Sequence, residues 1–319
     1  MRPDSYFMTE TIPQFGYGLW VLGAGGIAEK GRCLAQSGGS ELRAGFRNGE
    51  QMDETHRHTA PSEPSAAVDA EAVQVARDAA DTSDEPTGPK IIAVFMAHPD
   101  DAEFICAGTV ARWADEGHEL IYVLLTSGDK GSDDPEMTSE KLVATREAEQ
   151  REAARILGVR DVIFMKYADA ELEPNLEMRK ALTRMIRKLK PDVVVCQDPT
   201  VRWVDTEYIN HPDHRAAGEA TLAAVFPSAR DRLTFPELLA EGYEPHKVRE
   251  IYLAGAQEPD VAIDITAQME RKLDSLRAHA SQLGDWDFEP MVRQWARETA
   301  EQHPGNGEYV ESFKYFKLD

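Results

Sequence analysis

The chain has 319 residues and a formal net charge of −22 at pH 7. This acidity argues against nucleic acid or an anionic membrane as the main partner, because both require a basic face.

No transmembrane segment is predicted, since no apolar run approaches the roughly 20 residues that a bilayer requires. Cys33, Cys106 and Cys196 lie far apart without C-x-x-C spacing. This spacing indicates neither a disulfide framework nor a thiolate zinc site, and it favours a reducing, cytoplasmic location.

The first 89 residues differ in composition from the rest of the chain. From Ser40 to Lys90 the sequence is rich in small, polar and acidic residues and has almost no aromatic residues or aliphatic clusters. Such a segment cannot bury enough apolar surface to offset the entropy lost on ordering. We therefore predict a disordered extension over residues 1–89 and one folded domain over residues 90–319. Met52 is an alternative start, in which case residues 1–51 would be an over-extended reading frame.

Strand-like and helix-like segments alternate from residue 90 onward. Apolar runs of strand length alternate with segments of helical periodicity, and glycine or proline ends several of the helices. This alternation predicts an α/β fold with a mostly parallel sheet and helices on both faces. The predicted strands are Ile91–Met96, Leu120–Leu125, Val162–Met165 and Asp192–Cys196, and the predicted helices cover 109–116, 139–157 and 176–189.

The pattern is less regular near the C-terminus. Two short strands are predicted at 251–253 and 261–265, followed by one amphipathic helix over 266–283 that Gly284 ends. Seven aromatic residues then follow between Trp286 and Phe316. We predict that they pack against the sheet, and a roof over a substrate pocket is the alternative.

Two similar motifs follow predicted strands. His98-Pro99-Asp100-Asp101 comes directly after the first strand, and Pro99 suits the first position of a helix. His211-Pro212-Asp213-His214 lies in the segment that follows the fourth strand. Because the carboxyl ends of parallel strands share one edge of a sheet, we expect the two motifs to meet there and form one metal site.

The residue types suit a catalytic metal. Residues i and i+3 share a face of a helical turn, so His98 can converge with Asp101, and His211 with His214. Two histidines and one carboxylate leave coordination positions for water, as in catalytic zinc sites, and iron(II) is compatible with the same ligands. Either motif alone could equally be a helix cap. The presence of both favours the metal site.

The motifs also identify a family. The segment AHPDDAEF, the Arg146-x-x-Glu149 helix that ends at Gly158, and HPDH at 211–214 closely resemble the PIG-L/LmbE-like N-acetylglucosamine deacetylases. Weaker matches continue to Phe316, so the resemblance covers about residues 90–316. It implies a Rossmann-like fold and metal-dependent hydrolysis of an acetamido group on an N-acetylated sugar, a small-molecule substrate.

The resemblance also implies roles for individual residues. His98, Asp101 and His214 resemble the zinc ligands. Asp100 resembles the general base, and His211 the residue that stabilises the oxyanion and helps to protonate the departing nitrogen. Asp213 would orient His211 or raise its pKa, and Arg146 resembles a substrate-contacting arginine. These are the site residues that the sequence predicts.

Some features remain open from the sequence. Some family members carry a tyrosine two residues before the HPDH histidine, and this chain has Ile209 there and Tyr208 one step earlier.

An iron(II) oxygenase is one alternative function, although such enzymes usually have a double-stranded β-helix. The second alternative function is a non-catalytic carbohydrate-binding protein that retains the metal. The presence of Asp100 argues against this alternative. The sequence leaves open whether the chain forms a homo-oligomer.

Overall fold

A seven-stranded sheet forms the centre of the computed structural model, which describes residues 88–204, 206 and 208–319. Its strands follow the order β3-β2-β1-β4-β7-β9-β8, and β5 and β6 form a separate antiparallel pair. The strands are β1 (Ile91–Met96), β2 (Glu119–Thr126), β3 (Asp161–Tyr167), β4 (Val193–Gln197), β5 (Trp203–Val204), β6 (Tyr208–Ile209), β7 (Glu250–Ala254), β8 (Val261–Asp264) and β9 (Val310–Lys317).

Five strands of the sheet are parallel, as the alternating pattern predicted. β1 pairs in parallel with both β2 and β4, while β3 and β7 extend the parallel part on either side. The chain progresses from β1 towards β3 on one side and from β4 towards β7 on the other. The strand order therefore reverses between β1 and β4, which is where open α/β sheets bind their ligands.

Helices cover both faces of this sheet. Side chains of β1 alternate between the two faces: Phe95 packs in the same core cluster as Leu182, whereas Val94 packs in the cluster that contains Leu157. Both faces of β1 are buried, which explains its continuous apolar sequence. The α-helices are α1 (Asp101–Ile105), α2 (Ala107–Asp115), α3 (Ser139–Leu157), α4 (Leu176–Leu189), α5 (Pro212–Ala223), α6 (Pro236–Ala240), α7 (Met269–Arg277), α8 (Ala280–Leu283) and α9 (Glu289–Gln302), with a π-helical segment at Ala224–Ala229 and a 3-10 turn at Thr266–Gln268.

The C-terminal region differs from the sequence prediction. The helix predicted over 266–283 is broken into a 3-10 turn, α7 and α8, and the break leaves the side chain of His279 fully buried. β9 was not predicted as a strand, and it runs antiparallel between β7 and β8. Phe313 on β9 and the neighbouring Tyr309 are buried in the core, which confirms packing as their role. Hydrophobic periodicity missed the helix break because a buried histidine follows no apolar pattern.

The N-terminal predictions lie outside the described residues. They are the disordered extension, apart from residues 88 and 89, and the alternative start at Met52. Among the described residues, no helix combines the length and the apolar composition needed to span a membrane.

Candidate metal centre and active site

The first motif forms the turn between β1 and α1. Asp100 precedes the helix with φ of 81°, and the helix begins at Asp101. The prediction that Pro99 occupies the first helical position is therefore wrong, because the left-handed backbone of Asp100 separates Pro99 from the helix. The backbone N–H of His98 donates to Asp101 Oδ2 at 2.8 Å, which closes the turn and brings these two side chains together.

The second motif begins α5 in the way that its sequence suggests. Pro212 is the first helical residue, and Nδ1 of His211 accepts a hydrogen bond from the backbone N–H of Asp213 at 3.2 Å. One turn along, His214 Nδ1 lies 3.0 Å from Oδ1 of Asn210. Asn210 also donates to the carbonyl oxygen of Val201 at 2.7 Å, so the loop after β4 fixes the imidazole of His214.

The structure brings the three predicted metal ligands together. The ring centroids of His98 and His214 are 5.2 Å apart. Asp101 lies between them, with Oδ1 3.1 Å from His214 Nε2 and Oδ2 3.5 Å from His98 Nδ1. Among the described residues, two groups have potential ligand atoms within 4.8 Å of one another: His98 with His211 and His214, and His98 with Asp169 and Asp213; neither includes Asp101. The geometry therefore supports a metal centre, and more than one ligand set can be built from it.

Buried negative charge surrounds this cluster. His98 Nε2 lies 3.1 Å from Asp169 Oδ1 and 3.3 Å from Asp213 Oδ2, and both carboxylates are buried, as is Asp101. Burial disfavours ionised Asp169, but the contact with His98 outweighs it and lowers the pKa of Asp169 to about 2. Burial would likewise lower the pKa of His98, whereas the surrounding aspartates raise it well above its usual value. Several carboxylates that converge on imidazole nitrogens fit a divalent cation such as zinc or iron(II).

Asp100 lies beside the cluster and contacts Arg146. Its Oδ2 accepts a hydrogen bond from Arg146 Nη2 at 3.1 Å. Burial raises the pKa of Asp100, and the positive charge of Arg146 opposes this effect. A raised pKa brings a carboxylate closer to the range in which general bases work. The position and the environment of Asp100 therefore suit proton transfer.

Arg146 is buried rather than open to solvent. Besides Asp100, its guanidinium donates to the carbonyl oxygens of Pro99 at 2.8 Å and Gly128 at 3.0 Å. The resemblance implies a substrate contact for Arg146. In the structure its hydrogen bonds hold the turn that carries Asp100.

His211 and Asp213 contact each other through the backbone of Asp213. The carboxylate of Asp213 accepts hydrogen bonds from the backbone N–H groups of Ala170 at 2.7 Å and Leu172 at 3.2 Å. It thus joins the start of α5 to the loop after β3. Burial lowers the pKa of His211, as do the neighbouring His98 and His214, while the charge of Asp213 acts in the opposite direction.

A cavity opens over the centre, and sequence reasoning missed two of its lining residues. Asp169 and Gly131 contribute to its wall, and the other lining residues are His98, Asp100, Asp101, Arg146 and His211. Asp169 follows β3 just as His98 follows β1. The rule that placed both histidine motifs at one sheet edge could therefore have identified Asp169 as well.

The residues before the second motif include one half-buried tyrosine. Tyr208 donates from its hydroxyl to Oδ1 of Asn210 at 3.1 Å, and burial raises the pKa of Tyr208 to about 12. Ile209, which occupies the place of the tyrosine found in some family members, is 84% exposed. Tyr208 therefore acts on the site through Asn210, which contacts His214.

Comparisons with known proteins agree with this site. The family profile of the GlcNAc-PI de-N-acetylases, PIG-L, matches residues 93–225. Diacetylchitobiose deacetylase of Thermococcus kodakarensis is 34% identical over 207 residues, which cover 64% of this chain and 75% of that protein. A probable N-acetyl-alpha-D-glucosaminyl L-malate deacetylase 2 of Bacillus anthracis is 32% identical, with coverage of 60% and 80%.

A solved structure shows the same architecture. The N,N'-diacetylchitobiose deacetylase of Pyrococcus horikoshii, complexed with its inhibitor MPG, superposes with a TM-score of 0.66 at 34% identity and covers 72% of this chain and 84% of that one. The fold and the site together define a mostly parallel α/β protein with a histidine and aspartate cluster at its sheet edge. On the evidence of these relatives, the chain belongs to the PIG-L family of de-N-acetylases. The resemblance and the fold predicted from the sequence are thereby confirmed, and the double-stranded β-helix that iron(II) oxygenases usually have is absent from the described residues.

Proposed function

We propose that the protein is a zinc-dependent N-deacetylase, which hydrolyses the acetamido group of an N-acetylated amino sugar and releases acetate and a free amine. The observation that carries this proposal is the single cavity lined by His98, Asp100, Asp101 and His211. Two candidate metal ligands, the candidate base and an imidazole share this space, which supports the proposal. The relatives named above act on glucosamine conjugates, which supports this substrate class.

His98, Asp101 and His214 are the residues that we propose to hold the ion. Their nitrogen and carboxylate donors fit zinc, and iron(II) is the alternative. When bound, the ion supplies Lewis acidity, which polarises the amide carbonyl and makes water a stronger acid. In support of this set, the carboxylate of Asp101 contacts both imidazole rings.

The remaining residues would move protons and stabilise charge. Asp100 accepts a proton from the attacking water, since its carboxylate lines the cavity and its pKa is raised by burial. Nδ1 of His211 accepts a hydrogen bond, so in the neutral ring we infer that the proton resides on Nε2. From there His211 can donate a hydrogen bond to the carbonyl oxygen as negative charge develops, and later to the departing nitrogen. The proton that this nitrogen finally takes is the one that Asp100 received from water, so His211 stays neutral and Asp100 returns to its carboxylate form. Asp213 positions His211 by anchoring the first turn of α5.

The test of the function is an amine-release assay with zinc-loaded protein. The substrates are N-acetylglucosamine conjugates, including diacetylchitobiose and the glucosaminyl malate and inositol compounds. We expect at least one to release amine and acetate in equal amounts. Asp100→Ala should retain zinc and lose about 10²- to 10⁴-fold in kcat, the usual contribution of general acid-base catalysis. Full residual activity of Asp100→Ala would refute its role.

The ligand set is tested by elemental analysis of four single alanine variants. If the proposed set is right, replacing His98, Asp101 or His214 removes bound zinc, whereas His211→Ala retains it. Loss of zinc in His211→Ala, with retention in Asp101→Ala, would favour His98, His211 and His214 as ligands. A protein that binds zinc and sugars but turns over none of the substrates would support the non-catalytic alternative.

The proposal also includes a reducing, cytoplasmic location. The two cysteines among the described residues, Cys106 and Cys196, are both buried free thiols, as expected for a chain without disulfides.

A further inference from the structure

The backbone of Asp100 has a conformation that few residues other than glycine adopt. Its φ is 81° and its ψ is −24°, in the left-handed region. A side chain at this φ crowds the backbone, so the conformation persists only where surrounding contacts enforce it. Asp100 is also the residue that we assign as the base. Whatever holds its backbone therefore also sets where its carboxylate points.

The amide side chain of Gln150 contacts this backbone directly. Gln150 lies on α3 and is fully buried. Its Oε1 accepts a hydrogen bond from the backbone N–H of Asp100 at 3.0 Å, and its Nε2 donates to Glu103 Oε1 at 3.0 Å. A backbone N–H can only donate, and a carboxylate can only accept. The two partners therefore select one orientation of the Gln150 amide.

Glu103 in turn contacts the buried side chain of His279. Its second carboxylate oxygen lies 3.4 Å from His279 Nε2, and both side chains are inaccessible to solvent. Burial alone would lower the pKa of His279, but the contact with Glu103 outweighs it and raises that pKa. His279 lies at the break between α7 and α8, so that break contributes to a chain of contacts that ends at Asp100.

Gln150 and Arg146 hold the two sides of the same turn. They are four residues apart on α3 and thus share a face of the helix. Arg146 donates to the carbonyl oxygen of Pro99 and to the carboxylate of Asp100, whereas Gln150 accepts from the N–H of Asp100. We propose that Gln150 is a positioning residue that keeps Asp100 in its left-handed conformation, and through it aims the carboxylate into the cavity. This inference rests on the proposed function only in taking Asp100 as the base.

The first test is steady-state kinetics of Gln150→Met, which keeps the side-chain length and removes both hydrogen bonds. We expect kcat to fall about 10- to 100-fold, the effect of misplacing a catalytic group by about 1 Å. KM and zinc content should be unchanged, because the substituted residue touches neither substrate nor ion. Thr183→Val is the matched control: Thr183 is also fully buried, and its hydroxyl bonds only within α4, to the carbonyl oxygen of Arg179. Its kcat should equal that of the unsubstituted protein.

The second test does not depend on activity. Crystal structures of the unsubstituted protein and of Gln150→Met should show residue 100 at positive φ in the first and outside the left-handed region in the second. If Gln150→Met fails to fold, Gln150→Asn replaces it, since the shorter amide keeps a polar partner for Glu103 and cannot reach Asp100. Retention of positive φ in the variant, or a kcat within about twofold of the unsubstituted value, would overturn the proposal. An inactive unsubstituted protein with the expected backbone change would instead refute the proposed function and leave the positioning role intact.

Discussion

The buried ion pair between Lys272 and Glu311 provides a quantitative test of the structural reasoning. Only 4% and 5% of the two side chains are exposed, and Lys272 Nζ lies 2.6 Å from Glu311 Oε1. Nζ also donates to the carbonyl oxygen of Phe104 at 2.7 Å. Glu311 accepts two more hydrogen bonds, from the backbone N–H groups of Gly108 at 3.0 Å and Thr109 at 2.7 Å. The pair therefore joins β9 and α7 to the first turn of α2.

Lys272→Met removes the cation and leaves a buried carboxylate. Removing one partner of a buried ion pair costs about 3–5 kcal/mol. Because Glu311 keeps its two backbone donors, we expect the lower value, a loss of about 3 kcal/mol in the free energy of unfolding. At about 2–4 °C per kcal/mol for a domain of this size, the melting temperature should fall by roughly 6–12 °C. Glu311→Leu should cost more, about 5 kcal/mol, since it leaves a buried ammonium group and two unpaired N–H groups.

The assay is equilibrium unfolding in urea, followed by tryptophan fluorescence near neutral pH. The double variant should lose less than the sum of the two single losses, by at least about 2 kcal/mol, because it leaves neither charge unpaired. Lys314→Met is the control. Lys314 pairs with Asp260 at 2.7 Å, but these side chains are 38% and 45% exposed, so its loss should be below about 1 kcal/mol. Equal losses for Lys272→Met and Lys314→Met, or additive single losses, would refute the reasoning.

Three further predictions concern the base, the pH dependence and the N-terminal segment. Arg146→Lys should lower kcat about 10- to 100-fold with little change in KM, because the charge-assisted hydrogen bonds that hold Asp100 are worth about 1.5–3 kcal/mol. A raised KM with unchanged kcat would instead support the substrate contact that the resemblance implies. Burial lowers the pKa of His246 below its usual value of 6.5, so its contribution to stability is present above pH 6.5 and is lost as the pH falls through the folded-state pKa. Urea unfolding should therefore show a larger loss on acidification for the unsubstituted protein than for His246→Asn, and equal losses would contradict this. Deleting residues 1–88 should preserve folding and zinc content, measured by circular dichroism and elemental analysis, and an insoluble product would contradict the predicted disorder.

Local sequence signals determined the strands and helices whose ends are marked by the residue types next to them. Ile91–Met96 and Ser139–Leu157 have the bounds that their patterns predicted. Gly158 ends the latter helix with φ of 84°, a conformation that costs glycine little. The parallel arrangement also followed from the sequence, since strands separated by helices need crossover connections. These features depend on neighbours close in the chain.

Contacts between distant segments decided the remainder of the fold. The pairing of β9 with β7 and β8 joins residues as far apart in the chain as Glu250 and Lys317, and no local pattern specifies such a partner. The break before His279 has the same cause, because it exists where this buried side chain faces Glu103 on α1. Periodicity alone predicted one continuous helix there.

The same division applies to the site. The two histidine motifs and the edge where they meet were determined by the sequence, because both follow strands of one parallel sheet. Tertiary structure decided that Asp169 joins them, that Arg146 and Gln150 hold the turn that carries Asp100, and that Asp213 anchors the loop after β3. The physical reason is that a sequence specifies which donors and acceptors are available, whereas their partners are selected only in the folded structure, where burial makes an unpaired polar group costly.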